Sequence, residues 1–229
     1  MEHHRTVIEA AKAEGVELLA YTRIPNADAT TMKLAVEHQE TETILREAGV
    51  PFVLLRNGRY LENYTDQLPG TLAQGGIAGS AGEGRVSAAS RADYAQAAAA
   101  VLVGEDQAGK IYELGGDEPF TMAEIAAEIS AATGREISYQ DLPAQEYAGM
   151  MAGVGVPEAF ADILADSDPG IARGNLLVST GDLRILIGRP PYPWPKLSAQ
   201  PLPPPDVSPE RRGPDRAIGR TASARFPVD

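Results

Sequence analysis

KLAVEHQETETILREAGVPFVLLRNG, Lys33 to Gly58, decides the fold. Leu34, Thr41, Leu45 and Ala48 fall on one stripe at helical spacing, and Gly49 is a helix stop. PFVLLRNG then supplies a continuous apolar strand, Phe52 to Leu55, which runs into a polar loop at Arg56. A strand apolar on both faces belongs inside a sheet that helices cover on both sides. The same pattern stands just upstream: a helix over residues 2–14 with Val7, Ile8 and Ala11 on one face, Gly15 as stop, then ELLAYT, Glu17 to Thr22, closed by Pro25 and Asn26. Helix, glycine and apolar strand in succession are the return half of a βαβ unit, so the class is α/β with a parallel sheet.

Downstream the signals are shorter. GGIAGSAGEG, Gly75 to Gly84, reads as a flexible surface loop, because no strong apolar strand precedes it and no helix follows directly. A short strand around Val86 leads to Ser90, which can cap a helix ending near Gly104. Lys110 to Gly116 is another strand. Thr121 and Glu124 have capping-box spacing at the head of a helix that runs to Gly134, and EISYQDL is a further short strand. Residues 143–175 are helical and carry carboxylates at 162, 166 and 168 without the Gly-centred spacing of a calcium loop, which reads as an exposed acidic face.

Composition narrows the function classes. The chain has 229 residues, a formal net charge of −12, 18 prolines, three histidines and no cysteine. Disulfides, thiol nucleophiles and thiolate zinc sites are excluded, and no metal site is expected. The acidic balance argues against nucleic-acid binding, which needs cations facing phosphates. No apolar run approaches the ~20 residues of a membrane span and the N-terminus has no apolar signal core, so a cytoplasmic protein without membrane partners is expected. Residues 189–229 hold 11 of the prolines, seven basic and four acidic groups, which leaves the first 188 residues at −15. That composition reads as a disordered Pro/Arg-rich tail, with the folded part ending near Gly188.

AAKAEGVELLAYT, EHQETETILREAGVPFVLLRNGRYLENY, SRADYAQAAAAVL and YELGGDEPFTMAEIAAEIS, taken in this order, resemble the NmrA-like atypical short-chain dehydrogenases, most closely their bacterial NAD(P)H:quinone oxidoreductases. The likeness runs from about Glu2 to Arg189. It implies an incomplete Rossmann-type doubly wound parallel sheet over residues 1–188, front strands missing, with a small C-terminal α+β subdomain on the substrate side. Members of that family begin with a GATGxxG turn, and no GxGxxG or GxxGxxG precedes a helix here. The chain therefore reads as an N-terminally truncated member that, as written, does not bind NAD(P)H usefully. Under one plausible coding, Pro193 to Gln200 read two bases later becomes Leu-Ala-Glu-Ala-Val-Arg-Ala, the family's ending, so the tail from about Pro191 reads as a frameshifted translation.

The resemblance also implies a site. His38 and Glu42 match the Tyr and Lys positions of classical short-chain dehydrogenases, and Glu42 is expected to raise the His38 pKa. The pair is either a helix-surface i,i+4 contact or, through His38, a proton donor or substrate contact. Asn57, Gly58, Arg59, Tyr60, Leu61 and Glu62 would line the nicotinamide side of an NADP or NAD cofactor, with Ala88 touching it. The competing reading of this loop is a tight Asn-Gly turn with Tyr60 and Tyr64 packed as core aromatics. Arg59 stands where close relatives often carry an aromatic residue, and Arg23 departs from the quinone oxidoreductase pattern. Arg91 and Asp93 read as an ion pair or helix cap. The expected activity is hydride transfer from a nicotinamide to a small-molecule quinone, which tolerates loss of the Tyr–Lys acid because charge spreads into an aromatic ring. The alternative is a non-catalytic nucleotide-binding redox sensor or interaction protein, and a homo-oligomer stays open.

Overall fold

The structure is a computed structural model that describes residues 2–193. In chain order it builds α1 (Glu2–Ala13), β1 (Leu19–Arg23), α2 (Lys33–Ala48), β2 (Phe52–Asn57), α3 (Glu62–Thr65), α4 (Leu68–Gln74) and β3 (Gly76–Gly79). The rest comprises α5 (Arg91–Val103), β4 (Ile111–Leu114), α6 (Met122–Thr133), β5 (Ser138–Asp141), α7 (Ala144–Gly153), α8 (Glu158–Ala172) and α9 (Asp182–Ile187).

β1, β2 and β4 form one parallel sheet in the order β1-β2-β4, with Ala20 opposite Val53 and Leu55 opposite Tyr112. The three apolar strands read from the sequence at Glu17 to Thr22, Phe52 to Leu55 and Lys110 to Gly116 therefore share one sheet. Successive side chains of β2 take opposite faces. Val53 and Leu55 pack with Ala97, Val101, Leu114 and Leu183 under α5 and α9, whereas Leu54 packs with Ile8, Ile44 and Leu45 under α1 and α2. That two-sided burial is why PFVLL carries no polar alternation. Each of these leucines is fully buried, contributing ~1.5–3 kcal/mol. α2 ends at Gly49 in the left-handed region, φ 72°, as its glycine implied. Ser90 caps α5, and Thr121 with Glu124 forms the capping box of α6 at 3.1 and 2.9 Å.

Two expectations need correction. Gly76–Gly79 is not surface loop but β3, paired in parallel with β5 in a second, two-stranded sheet. The loop after it is held by side chains: Asp168 accepts from the Ser80 N–H at 2.9 Å, the Tyr139 hydroxyl from Ala81 at 2.9 Å, and Asp141 from Gly82 at 2.8 Å. Amides satisfied by two carboxylates cannot cradle a phosphate. Val86, expected in a strand, makes only an isolated antiparallel bridge with Phe120. The core of this half gathers Leu61, Val86, Phe120, Ile125, Ile129 and Ile171.

The tail expectation falls mostly on residues 194–229, outside the described residues. Its described beginning contacts the body: Arg189 donates to Asp93 at 2.7 Å and to Gln96 at 2.9 Å, and the Tyr192 N–H donates to Asp93 at 2.8 Å. Among the described residues no helix is long and apolar enough to cross a membrane.

Candidate functional site

A cavity of about 460 Å³ opens at the C-terminal ends of β1 and β2, where open α/β sheets bind ligands. Thr22, Arg23, Asn57 and Gly58 form its strand-end wall, and Leu34 and His38 reach it from α2. Arg59 and Tyr60 come from the loop after β2 and Asn63 from α3. Phe160, Ile163, Leu164 and Ser167 line the opposite side from one face of α8, with Met32 and Leu176 beside them. A smaller hollow of about 320 Å³ between α1 and α2, edged by Glu2, Arg5, Glu40 and Glu47, lies on the far side of α2 from this chemistry.

Behind the strand-end wall sits a network of buried charges. Glu42, 1% exposed, pairs with Arg46 at 2.6 Å, with Arg56 at 3.3 Å and with Arg23. Arg56 also donates to Glu113 at 2.8 Å and to Asp28 at 2.7 Å. Arg23 is 4% exposed; apart from its Glu42 contact, its Nε and Nη2 have no hydrogen-bond partner. Burial, and then the nearby Arg56 cation, lower the Arg23 pKa to about 10.

The expected effect of Glu42 on His38 is overturned by this network. Glu42 spends its charge on three guanidinium groups, and the His38 pKa is lowered, by burial first and by the Arg23 cation second. The His38 imidazole is thus neutral near pH 7. Its Nδ1 shares a 2.7 Å hydrogen bond with the Tyr21 hydroxyl, whose own pKa burial raises. Thr41 hydrogen-bonds Tyr21 in turn, and His4 Nδ1 lies 2.7 Å from Thr41 Oγ1, so a chain of polar groups leads from His38 to the outer face of α1. Tyr21 was missed in the sequence because a tyrosine inside ELLAYT reads as strand core.

The loop residues divide into two groups. Asn57, Gly58, Arg59 and Tyr60 line the cavity together with His38. Leu61, Glu62 and Ala88 do not: Leu61 is fully buried in the core, the Glu62 carboxylate accepts from the Arg91 N–H at 3.0 and 3.1 Å at the start of α5, and Ala88 is buried in the same core as Leu61. Gly58 is required by packing, since a Cβ there would lie 2.5 Å from the Ser87 carbonyl oxygen. Tyr60 meets Tyr94 and Tyr64 meets Phe120 edge-on, each at 5.5 Å, so both tyrosines pack as aromatics while Tyr60 also faces the cavity. Arg91 sits 3.4 Å from Asp66.

The acidic run on α8 is an exposed face only in part: Asp162 is exposed, Asp166 half-buried and Asp168 buried. Asp168 is 7% exposed, with a pKa raised by burial against the opposing effect of the Ser80 N–H, and lies 3.9 Å from Arg59 Nη1. Asp166 accepts from the Lys33 N–H at 2.6 Å at the start of α2. Phe160, Ile163, Leu164 and Ser167 repeat at helical spacing, and that stripe was the available signal for the missed wall. Among the described residues no cluster of three potential metal ligands occurs.

Asn57 lines the cavity, and its Oδ1 is buried without a hydrogen-bond partner. Such an orphaned acceptor fits a ligand amide donor, as a nicotinamide carboxamide offers.

No family model matches the chain. Quinone oxidoreductase 2 of Escherichia coli (strain K12) is 45% identical over 187 residues, covering 82% of this chain and 65% of that protein. The crystal structure of the Escherichia coli NADPH-dependent quinone oxidoreductase complexed with NADPH superposes with a TM-score of 0.81 at 44% identity, over 85% of this chain and 68% of that one. Citrobacter sp. triphenylmethane reductase complexed with NADP(H) gives a TM-score of 0.78 at 32% identity, over 85% and 69%. An NmrA-like family domain-containing oxidoreductase of Aspergillus flavus is 27% identical over 205 residues, 83% of this chain and 64% of its own. The chain thus spans just under two thirds of the length of these curated relatives. A parallel sheet with a cavity at its strand ends, joined to this degree of identity, shows that the chain belongs to the NmrA-like family of reductases, beside the bacterial quinone oxidoreductases.

Proposed function

We propose that the cavity serves reduction of a quinone by a nicotinamide cofactor, NADP(H) or NAD(H). The observation that carries this reading is Asn57, which lines a largely apolar cavity at the ends of parallel strands and keeps a buried Oδ1 without a hydrogen-bond partner. The relatives support it through what they are: a quinone oxidoreductase solved with NADPH and a reductase solved with NADP(H). Asn57, Gly58, Arg59 and Tyr60 would hold the nicotinamide end, while Leu61, Glu62 and Ala88 fix the loop from behind. When bound, the reduced nicotinamide supplies a hydride.

Hydride addition to a quinone leaves a hydroquinone monoanion that needs one proton. With the Tyr21 hydroxyl donating to Nδ1, neutral His38 carries its proton on Nε2 and can pass it to that oxygen as the Tyr21 proton moves onto Nδ1, so that the ring stays neutral and Tyr21 is left as the phenolate to be reprotonated. Thr41 and His4 stand behind Tyr21 to restore it. The apolar α8 face excludes water and orients the ring. Spectrophotometric loss of NADPH with a quinone as acceptor is the test. Turnover that falls about 100-fold in His38→Gln, the low end of general-acid effects, supports the reading. NADPH binding without turnover would favour a redox sensor.

A further inference from the structure

The polar groups behind His38 have a direction. Tyr21 Oη lies 2.7 Å from His38 Nδ1, and Thr41 Oγ1 lies 2.7 Å from His4 Nδ1. Burial raises the Tyr21 pKa, and the Thr41 hydrogen bond opposes that rise, as a donor to the phenolate oxygen does. A hydroxyl has a single hydrogen to give and two lone pairs with which to accept. Once Tyr21 donates to His38, its oxygen can only accept from Thr41. Thr41, turned to Tyr21, can in the same way only accept from His4, through Nδ1–H. Every hydrogen in the series then points from α1 toward the cavity, and His4 Nε2 is left with its lone pair toward the outside.

Thr41 is the member with a choice. Its hydroxyl also has the Glu37 carbonyl oxygen within reach, at 2.8 Å, and turns between the two acceptors by rotating about Cβ–Oγ1. Beside a neutral Tyr21 the carbonyl competes. A phenolate wins, because a hydrogen bond to an ionised acceptor is much the stronger. Thr41 is buried, so water does not take its place, whereas His4 is half-buried on α1 and can meet solvent. The two imidazoles also hold the phenol between them, each ring centroid 5.9 Å from that of Tyr21. A contact that only tied α1 to α2 would need His4 and Thr41, and it would not need to continue to a histidine that lines the cavity.

We infer that the site draws its proton from the outer face of α1, with His4 as the port and Thr41 as a switch that closes the relay only when Tyr21 has become phenolate. This rests on reading His38 as the proton donor, and it adds where the proton comes from and what controls its passage. With an acceptor against the α8 wall the cavity is dry, so supply from behind the strand ends is what remains. The protons balance. His38 gives its Nε2 proton to the hydroquinone anion and takes the Tyr21 proton on Nδ1; Tyr21 takes the Thr41 proton, Thr41 takes the His4 Nδ1 proton, and solvent protonates His4 Nε2. One proton enters and one is delivered. After product leaves, the rings regain their first tautomer by rotating and exchanging with water. His4 and Thr41 act through Tyr21 and His38, as positioning residues.

The test is hydroxyl exchange at Tyr21 in the 229-residue protein without cofactor or quinone, read by NMR from the deuterium isotope shift on Cζ in mixed light and heavy water, with Tyr21→Phe assigning the signal. Thr41→Val should slow the exchange about 100-fold, the low end of what a positioned acid–base group contributes, and Thr41→Ser, which keeps the hydroxyl, should leave it near the original rate. His4→Ala should slow it as well. Imidazole added to the buffer should restore exchange in His4→Ala and not in Thr41→Val. If Thr41→Val fails to fold, His4→Ala with and without imidazole decides, since a packing role would not be rescued by a free base. A change below about tenfold in Thr41→Val, or exchange too fast to resolve in the unaltered protein, overturns the inference, because water then reaches Tyr21 directly. Equal slowing in Thr41→Ser and Thr41→Val overturns it too, by reducing Thr41 to packing. With no NADPH or quinone present, absence of turnover would defeat only the proposed reaction, and turnover with exchange indifferent to Thr41 would defeat this inference alone.

Discussion

The two walls of the cavity are built on different physics. The strand-end wall is rigid, because its side chains are tied into the Arg23, Glu42, Arg56 and Glu113 network and its backbone into β1, β2 and β4. The α8 wall is apolar and partly open, with Phe160 54% exposed, and its one buried acid, Asp168, has a single distant cation. Chemistry that needs fixed positions belongs to the first wall, and fit to a variable acceptor belongs to the second. If that division holds, substitutions should damage stability on the strand side and ligand preference on the helix side.

The largest effect should come from Glu42→Gln. Removing the charge leaves Arg23 without a carboxylate and Arg56 with one fewer, both in the protein interior. Losing one partner of a buried ion pair costs roughly 3–5 kcal/mol, which urea unfolding would read directly. A loss under about 1 kcal/mol would mean that water reaches these groups and that the wall is not rigid. Gly58→Ala should follow at about 1–3 kcal/mol, because the new Cβ must push against the Ser87 carbonyl, which is backbone and has little freedom to move.

The helical wall should behave otherwise. Phe160→Ala should change stability by less than about 0.5 kcal/mol, as for exposed positions, while weakening quinone binding measured by calorimetric titration. Asp168→Asn sharpens the contrast with Glu42. The Asp168 pKa is raised in the folded state, so folding favours its protonated form, and any stability it contributes is present below the unfolded value and lost as pH rises through the folded one. An amide can still accept from the Ser80 N–H, so Asp168→Asn should be neutral or mildly stabilising above that window, within about 1 kcal/mol. A loss as large as that of Glu42→Gln would erase the distinction between the two acids.

What the sequence revealed follows the same division. PFVLLRNG announced its strand because Val53, Leu54 and Leu55 are buried on both faces, and Thr121 announced its helix through a local capping box. β3 was illegible because GIAG has no strand propensity of its own; its register is supplied by β5, sixty residues away in the chain, and by Asp168 and Tyr139 holding the loop beyond it. The site split in the same manner. Asn57, Gly58, Arg59 and Tyr60 follow directly from the end of β2, so a local pattern located them. The electrostatics of His38 depended on which partners Glu42 would find, and Arg23 and Arg56 reach it only once β1 and β2 are paired.

His38 itself provides the smallest effect and the finest test of the strand-end wall. Its pKa lies below the ordinary histidine value because burial and Arg23 disfavour the imidazolium. The unfolded chain, with a histidine near 6.5, therefore takes up a proton that the folded protein resists. By linkage, the stability from this site is complete above pH ~6.5 and is lost as pH falls through the unfolded value toward the depressed folded one. Unfolding measured from pH 5 to 8 should show stability rising with pH over that window, and His38→Gln should flatten this component while leaving the part due to carboxylates. A Tyr21→Phe variant should shrink this component, since a hydroxyl that donates to Nδ1 favours the neutral ring, and its loss leaves burial and Arg23 to hold the pKa down. A stability profile that falls with rising pH at His38 would require an anion beside the imidazole, and Glu42 would then be facing α2's own histidine instead of the three arginines that now hold it.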